Sequence, residues 1–282
     1  MNQPRLLDQV RLSIRRKHYS HRTEQSYVFW IRNYIRFHRL RHPQEMREPE
    51  LKQFLDYLAN TRKVAASTQN QALCAILYLY REVLDAPLGL VTGVDRARRP
   101  QNLPVVLSHD EVKLVLQQLD GVYWLLASLL YGTGMRVTEG IMLRVTDIDF
   151  EYTQITVRKG KGNKDRVTLL PERLREPLLN HFATVKLLHE RDIEAGFGHT
   201  WLPYALDRKY PNADREWVWQ FVFPSATRSA DRNDGVIRRF HISPKTIQHA
   251  MRRAVQKSGI QKRASCHTLR HSFATWCSRT TR

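Results

Sequence analysis

The 282-residue chain is 42% hydrophobic and 26% charged, a balance that builds folded domains and excludes disorder as a global description. Its 46 Lys and Arg outnumber its 27 Asp and Glu for a net charge of +19, which makes a polyanion such as nucleic acid the expected partner. No signal or lipidation motif is visible, and the longest apolar stretch, 122–131, is about half a bilayer span, which argues against a membrane role. The three cysteines Cys74, Cys266 and Cys277 lie far apart without a C-x-x-C pair, which argues against a disulfide framework or zinc ribbon and suits a reducing cytoplasm.

The first third reads as helix. Tyr27, Trp30, Ile31, Tyr34 and Ile35 form a helical stripe within 20–40, and Leu51, Phe54, Leu55 and Leu58 form a second. Thr68 and Gln71 have the spacing of a capping box and predict the start of a third helix that runs on through Leu84. Residues 1–86 therefore read as a small helical bundle. Prolines and glycines then punctuate 87–104, where Arg96, Arg98 and Arg99 load a linker with charge. Such a linker can lie along a phosphate backbone or serve as a solvated tether.

A second domain, 105–282, opens with a capping box at Ser108 and Glu111, and a buried helix follows over 122–131. The period then changes. Ile155 and Val157 alternate with polar residues, a glycine-containing basic turn spans 159–164, and the strand pattern resumes at Val167, so a β-hairpin is predicted. The remainder is mostly helical, including a Pro-started helix at Ser243 and Pro244. Overall the pattern is mainly α with a small β-hairpin or sheet. Charge is shared between the halves, +9 in residues 1–100 and +10 beyond, with its densest run at 228–263.

Three strings carry chemistry: GTGMRVTE at 132–139, KGKGNKDR at 159–166 and HTLRHSFAT at 267–275. Taken singly, each has an ordinary reading: a turn with a surface arginine, an exposed hairpin tip, and a helical His pair at His267 and His271 with no third metal ligand. Taken together they supply two arginines and a lysine able to surround one phosphate. Arginine offers planar paired donors to non-bridging oxygens, where charge builds as a phosphodiester is attacked. His267 and Arg270 are three apart and project from one helix face. A lysine on a flexible hairpin can protonate a leaving 5′ oxygen.

This arrangement resembles the tyrosine recombinases, over nearly the whole chain. The resemblance implies a helical, SAM-like core-binding domain followed by a catalytic domain. It makes Arg136, Lys161, His267 and Arg270 catalytic, with His271 and Glu139 in support. The choice of Lys161 over Lys159 or Lys164 comes from alignment to the family's G-K-G; spacing alone does not make it. The strings YSHRTEQSYV at 19–28, AASTQNQA at 65–72 and LPVVL at 103–107 look like the integron-integrase branch, as does an insert at about 188–224. That branch implies cassette integration and excision, contact with duplex integron sites and folded single-stranded cassette sites, a tetrameric synapse, no metal or nucleotide cofactor, and a place at the bacterial nucleoid. Lys159, Lys164, Arg166, Trp217, Trp219 and His241 join Arg96, Arg98 and Arg99 as expected DNA contacts. Trp217, Trp219, Phe221 and Phe223 also share one parity, so the buried face of a strand is an equal reading for most of them.

In the resembled family a nucleophilic tyrosine follows the H-x-x-R box. Here all eleven tyrosines lie at or before Tyr210. The expectation is a truncated, frameshifted end and a chain without cleavage activity. A non-catalytic DNA-binding protein that occupies recombination sites or pairs with an intact recombinase is the second reading.

Overall fold

The computed structural model describes residues 5–89, 103–158, 165–202, 206–231 and 234–280. Arg96, Arg98 and Arg99 of the basic linker and Lys159, Lys161 and Lys164 of the hairpin turn lie outside them. The chain divides into two compact units, Met1–Asn102 and Leu103–Arg282. Its architecture is mainly helical with small antiparallel sheets, as the sequence predicts. No helix among the described residues is long and apolar enough to cross a membrane.

The first unit holds α1 (Leu6–Arg16), α2 (His21–Phe37), α3 (Glu48–Asp56) and α4 (Ala66–Tyr78). Ser20 caps α2 by accepting from the Thr23 amide. The α2 stripe packs Trp30 and Tyr34 against Phe54, Leu55, Ile76 and Tyr80. The buried Tyr34 and Tyr80 hydroxyls bond each other at 3.1 Å, and Tyr80 also donates to the carbonyls of Pro43 and Met46, so the aromatic core carries no unpaired hydroxyl there. The expected capping box at Thr68 does not form: α4 begins two residues earlier, after Ala65, without a side-chain cap. The buried Ala72, Leu73 and Ile76 hold the helix by packing, so it forms without the roughly 1 kcal/mol a side-chain cap supplies.

In the second unit, α5 (His109–Leu116) starts at the predicted box, with Ser108 Oγ accepting from the Glu111 amide and the Glu111 carboxylate accepting from the Ser108 amide. Next come α6 (Gly121–Thr133), whose buried side chains centre the core, and α7 (Val137–Ile141). Strands β1 (Ile148–Asp149), β2 (Gln154–Val157) and β3 (Arg166–Leu169) form an antiparallel sheet in that order. The register sets Ile155 opposite Thr168 and Val157 opposite Arg166. Directly opposed residues share a sheet face, so Arg166 lies on the face that buries Ile155 and Val157, while Val167 and Leu169 point to solvent.

Helix α8 (Arg175–Glu194) runs unbroken through residue 188, where the insert is expected to begin, so the irregular segment starts only after Glu194. That segment contains α9 (Leu206–Lys209) and two 3₁₀ turns, Ala213–Arg215 and Trp217–Trp219. The shared-parity strand reading is therefore corrected. Trp217 and Trp219 sit half-buried on a 3₁₀ turn, and Val222 is as buried as Phe221 and Phe223 on either side. The buried Gln220 amide explains the turn: it donates to the carbonyls of Gly198, Asp214 and Glu216 and curls the backbone around itself. A two-stranded ribbon, β4 (Ser229–Ala230) with β5 (Ile237–Arg238), leads to α10 (Pro244–Lys257), which starts at its proline as predicted and is capped by Ser243, and then to α11 (Cys266–Thr280).

Candidate active site

The site is built on two helix starts and one strand. Arg136 is the N-cap residue of α7. Its backbone amide donates to Glu139 Oε2 at 2.8 Å and its guanidinium to Glu139 Oε1 at 2.7 Å. The i, i+3 spacing seen in the sequence thus folds the arginine back onto its own turn. From β3, Arg166 reaches the same carboxylate in a two-pronged pair, at 2.6 and 3.3 Å. Arg270, on the first turns of α11, places its guanidinium 3.8 Å from Glu139 Oε2 and donates to the Gly134 carbonyl.

Glu139 is therefore the hub. Its side chain is only 7% exposed and three arginines converge on it. Burial by itself pushes its carboxyl up. The bonds from Arg166, the Arg136 amide and the Arg136 guanidinium more than offset that and hold it down to about 2. An ionised carboxylate lets three like charges share a small volume, and each guanidinium it anchors is preorganised.

His267 lies at the mouth of the cluster. Its ring meets that of His271 edge-on, with centroids 4.5 Å apart. Burial first, then the positive field of His271, Arg270 and Arg136, lowers its pKa below the ordinary imidazole value, which keeps it neutral near pH 7. A pocket of about 360 Å³ opens beside Arg136 and His267, and Thr138, Gln248, Arg252 and Ser265 line the rest of its polar wall. Gln248 and Arg252 of α10 were missed by sequence reading. The only signal was membership of the basic run at 228–263, which does not say which arginine faces inward.

Of the four residues expected to be catalytic, the structure brings Arg136, His267 and Arg270 together; Lys161 lies outside the described residues. Glu139 and His271 join them. Trp217 packs edge-on against Phe182 of α8, with ring centroids 6.1 Å apart. His241 bonds the Ile242 carbonyl at 2.7 Å and sets its ring edge-on to Phe221. Among the described residues no cluster of three or more His, Cys, Asp or Glu side chains is placed to hold a metal ion.

One glycine permits the cluster. Gly134 ends α6 in the left-handed region, at φ +62°, and a Cβ there would stand 2.5 Å from the Phe273 ring of α11. The close approach lets Arg270 reach the Gly134 carbonyl. Gly134→Ala is expected to destabilise the chain by about 2–4 kcal/mol, combining left-handed strain with overpacking. Thermal unfolding checks it, and an unchanged midpoint would contradict the packing described.

Residues 6–90 match the family model described as Phage integrase, N-terminal SAM-like domain, and residues 105–281 match Phage integrase family. The chain belongs to the phage integrase family of tyrosine recombinases. It is 48% identical over 271 residues to an integrase/recombinase of Escherichia coli and, to the same degree, to one of Pseudomonas aeruginosa, covering 96% of this chain and 80% of each relative. Its fold is similar to that of a lambda integrase dimer bound to a COC′ core site, with TM-score 0.62 and 16% identity over 99% of this chain and 88% of that one.

Proposed function

We propose that the chain is a site-specific recombinase of the integron-integrase branch, which binds duplex integron sites and folded single-stranded cassette sites and holds a scissile phosphate between Arg136, Arg270 and His267. The observation that carries this reading is the convergence of Arg136, Arg166 and Arg270 on the buried Glu139 carboxylate beside a polar pocket lined by His267. Arg136 and Arg270 would neutralise the non-bridging oxygens, and neutral His267 would add a hydrogen bond as charge builds. Lys161 would protonate the leaving 5′ oxygen. The excess of +19 supplies the backbone attraction for DNA, with Arg96, Arg98, Arg99, Lys159 and Lys164 as further phosphate contacts. The half-buried Trp217, Trp219 and His241 would meet unpaired bases.

The eleven tyrosines of these 282 residues all lie at or before Tyr210, so a polypeptide of these residues alone supplies no hydroxyl in the place of the family's nucleophile. Gel-shift titration is expected to show binding to folded single-stranded cassette sites and to duplex DNA, weakening steeply as salt rises. A suicide substrate is expected to trap no covalent adduct. Salt-insensitive or absent binding would remove the DNA-binding reading, and a trapped adduct would remove the claim about the nucleophile.

A second reading is a non-catalytic DNA-binding protein that occupies sites or pairs with an intact recombinase; the net charge of +19 supports it without any call on the pocket. Mixing the chain with a tyrosine-bearing recombinase separates the two. If its pocket is used, Arg136→Ala abolishes recombination at the sites it occupies. If it only occupies sites, that substitution changes little beyond binding.

A further inference from the structure

Arg144 has no place in the phosphate pocket, yet it is among the most buried charges in the second unit, 5% exposed. Among the described residues no carboxylate forms an ion pair with its guanidinium. One terminal nitrogen donates to the Trp219 carbonyl and the other to the Trp201 carbonyl, the latter at 2.5 Å. The guanidinium also lies over the Phe221 ring, 4.5 Å from its centroid. Asp147 balances the charge from one side: its carboxylate accepts from the Arg144 amide at 2.9 Å and from the Arg158 guanidinium at 2.5 Å. Burial lowers the Arg144 pKa to about 10, which still leaves it charged at neutral pH.

The two carbonyls belong to segments 18 residues apart, as counted from Trp201 and Trp219, and both segments bear tryptophans of the irregular insert. On the other side, Arg144 follows α7, the turn that begins at Arg136 and carries Glu139. Backbone bonds stitch this boundary, Val145 amide to Gln220 carbonyl at 3.0 Å and Val222 amide to Leu143 carbonyl at 2.8 Å, but they reach only the 220–222 stretch. The fork of Arg144 adds the Trp201 segment. A cleft of about 160 Å³ is lined by Trp201, Arg158 and Arg144 together with Thr138 and Glu139. Trp201 is 39% exposed there, so the clamp holds the backbone of a residue whose indole still reaches solvent.

We propose that Arg144 is a positioning residue. Its buried fork fixes the Trp201 and Trp219 segments relative to the Arg136–Glu139 turn, so that bases engaged by the insert are placed in register with the scissile phosphate. The DNA half of this statement rests on the reading that the insert meets unpaired bases; the clamp itself does not.

Arg144→Met keeps the length of the stem and removes both donors to the Trp201 and Trp219 carbonyls. Arg144→Lys returns the charge without the planar fork. Hydrogen exchange and DNA binding are read on both variants of the full chain. In Arg144→Met, amides of 198–222 are expected to exchange about tenfold faster or more while those of α6 and α11 stay protected. Affinity for a hairpin with extrahelical bases is expected to fall about tenfold, with affinity for perfect duplex of the same length unchanged. Arg144→Lys recovers part of both losses. Unchanged exchange at 198–222, a rise spread equally across α6, or an equal loss on hairpin and duplex would each overturn the proposal. Should the unaltered chain bind bulged hairpin no better than duplex, the base-recognition reading fails, and the exchange measurement still decides whether Arg144 is the clamp.

Discussion

With hydrogen peroxide supplied as an exogenous nucleophile, the 282-residue chain is expected to nick cassette-site DNA above the peroxide background, and Arg136→Ala or Arg270→Ala to lower that rate by roughly 100- to 1000-fold. The reasoning separates the nucleophile from the pocket. A guanidinium that stabilises charge on the non-bridging oxygens does so whichever atom attacks phosphorus, so added peroxide reads the contribution of the arginines in a polypeptide of these 282 residues. The two arginines are not expected to add. Both lean on Glu139, Arg136 at 2.7 Å and Arg270 at 3.8 Å, so removing one relaxes the other and the double variant falls less than the product. DNA affinity should change little in either variant, because a net charge of +19 spreads the backbone contacts widely. Equal nicking by the unaltered chain and both variants would show that the cluster does not embrace the scissile phosphate.

The second large effect concerns the hub. Glu139→Gln keeps the shape and removes the charge, leaving Arg136, Arg166 and Arg270 around a neutral amide. Breaking a buried ion pair from one side costs about 3–5 kcal/mol, and urea denaturation is expected to show a loss of that size. The pH dependence follows from the same carboxyl. It is held at about 2 in the folded chain against an ordinary value of 4.5, so the unfolded chain takes up its proton first as pH falls. The stabilisation is complete above about pH 4.5 and is lost as pH drops towards 2, amounting to about 3 kcal/mol over that window. The unaltered chain should therefore lose stability across this range more steeply than Glu139→Gln. Parallel acid profiles for the two proteins would show that Glu139 is not the ionised centre of the cluster.

These expectations differ in how far the chain itself announced them. The arginine and histidine boxes were legible because their spacings are local. Arg136 and Glu139 are three apart on one turn, His267 and Arg270 three apart on one helix, and a capping box or a shared helix face needs no distant residue to be read. The β-hairpin was legible from the alternation of Ile155 and Val157 with polar residues, but its register was not: the apolar Val167 and Leu169 of β3 are exposed, and packing sets Arg166 opposite Val157. The capping box at Thr68 shows the limit of such local signals, since α4 starts at Ala66 with no side-chain cap and is held by packing through Ala72 and Ile76.

What reading in one dimension missed was decided between elements. Arg166 was expected to meet DNA; the sheet face it shares with Val157 also brings it onto Glu139, a contact across 27 positions. Gln248 and Arg252 enter the pocket because α10 packs against the start of α11, and nothing in a basic run marks the inward residue. The aromatic parity of 217–223 allowed a strand, but the Gln220 amide, bonding the nearby Asp214 and Glu216 carbonyls and the more distant Gly198 carbonyl, accompanies a 3₁₀ corner instead.

The amino-acid string by itself determined the mainly helical two-part architecture, which depends on composition and on spacings within a single turn or hairpin, and it carried the boxes through which the chain resembles the tyrosine recombinases. Only the tertiary structure decided that one buried carboxylate gathers three arginines and that Arg144 clamps the insert. Burial, and the long-range convergence of charges from separate elements, exist nowhere until the chain has packed.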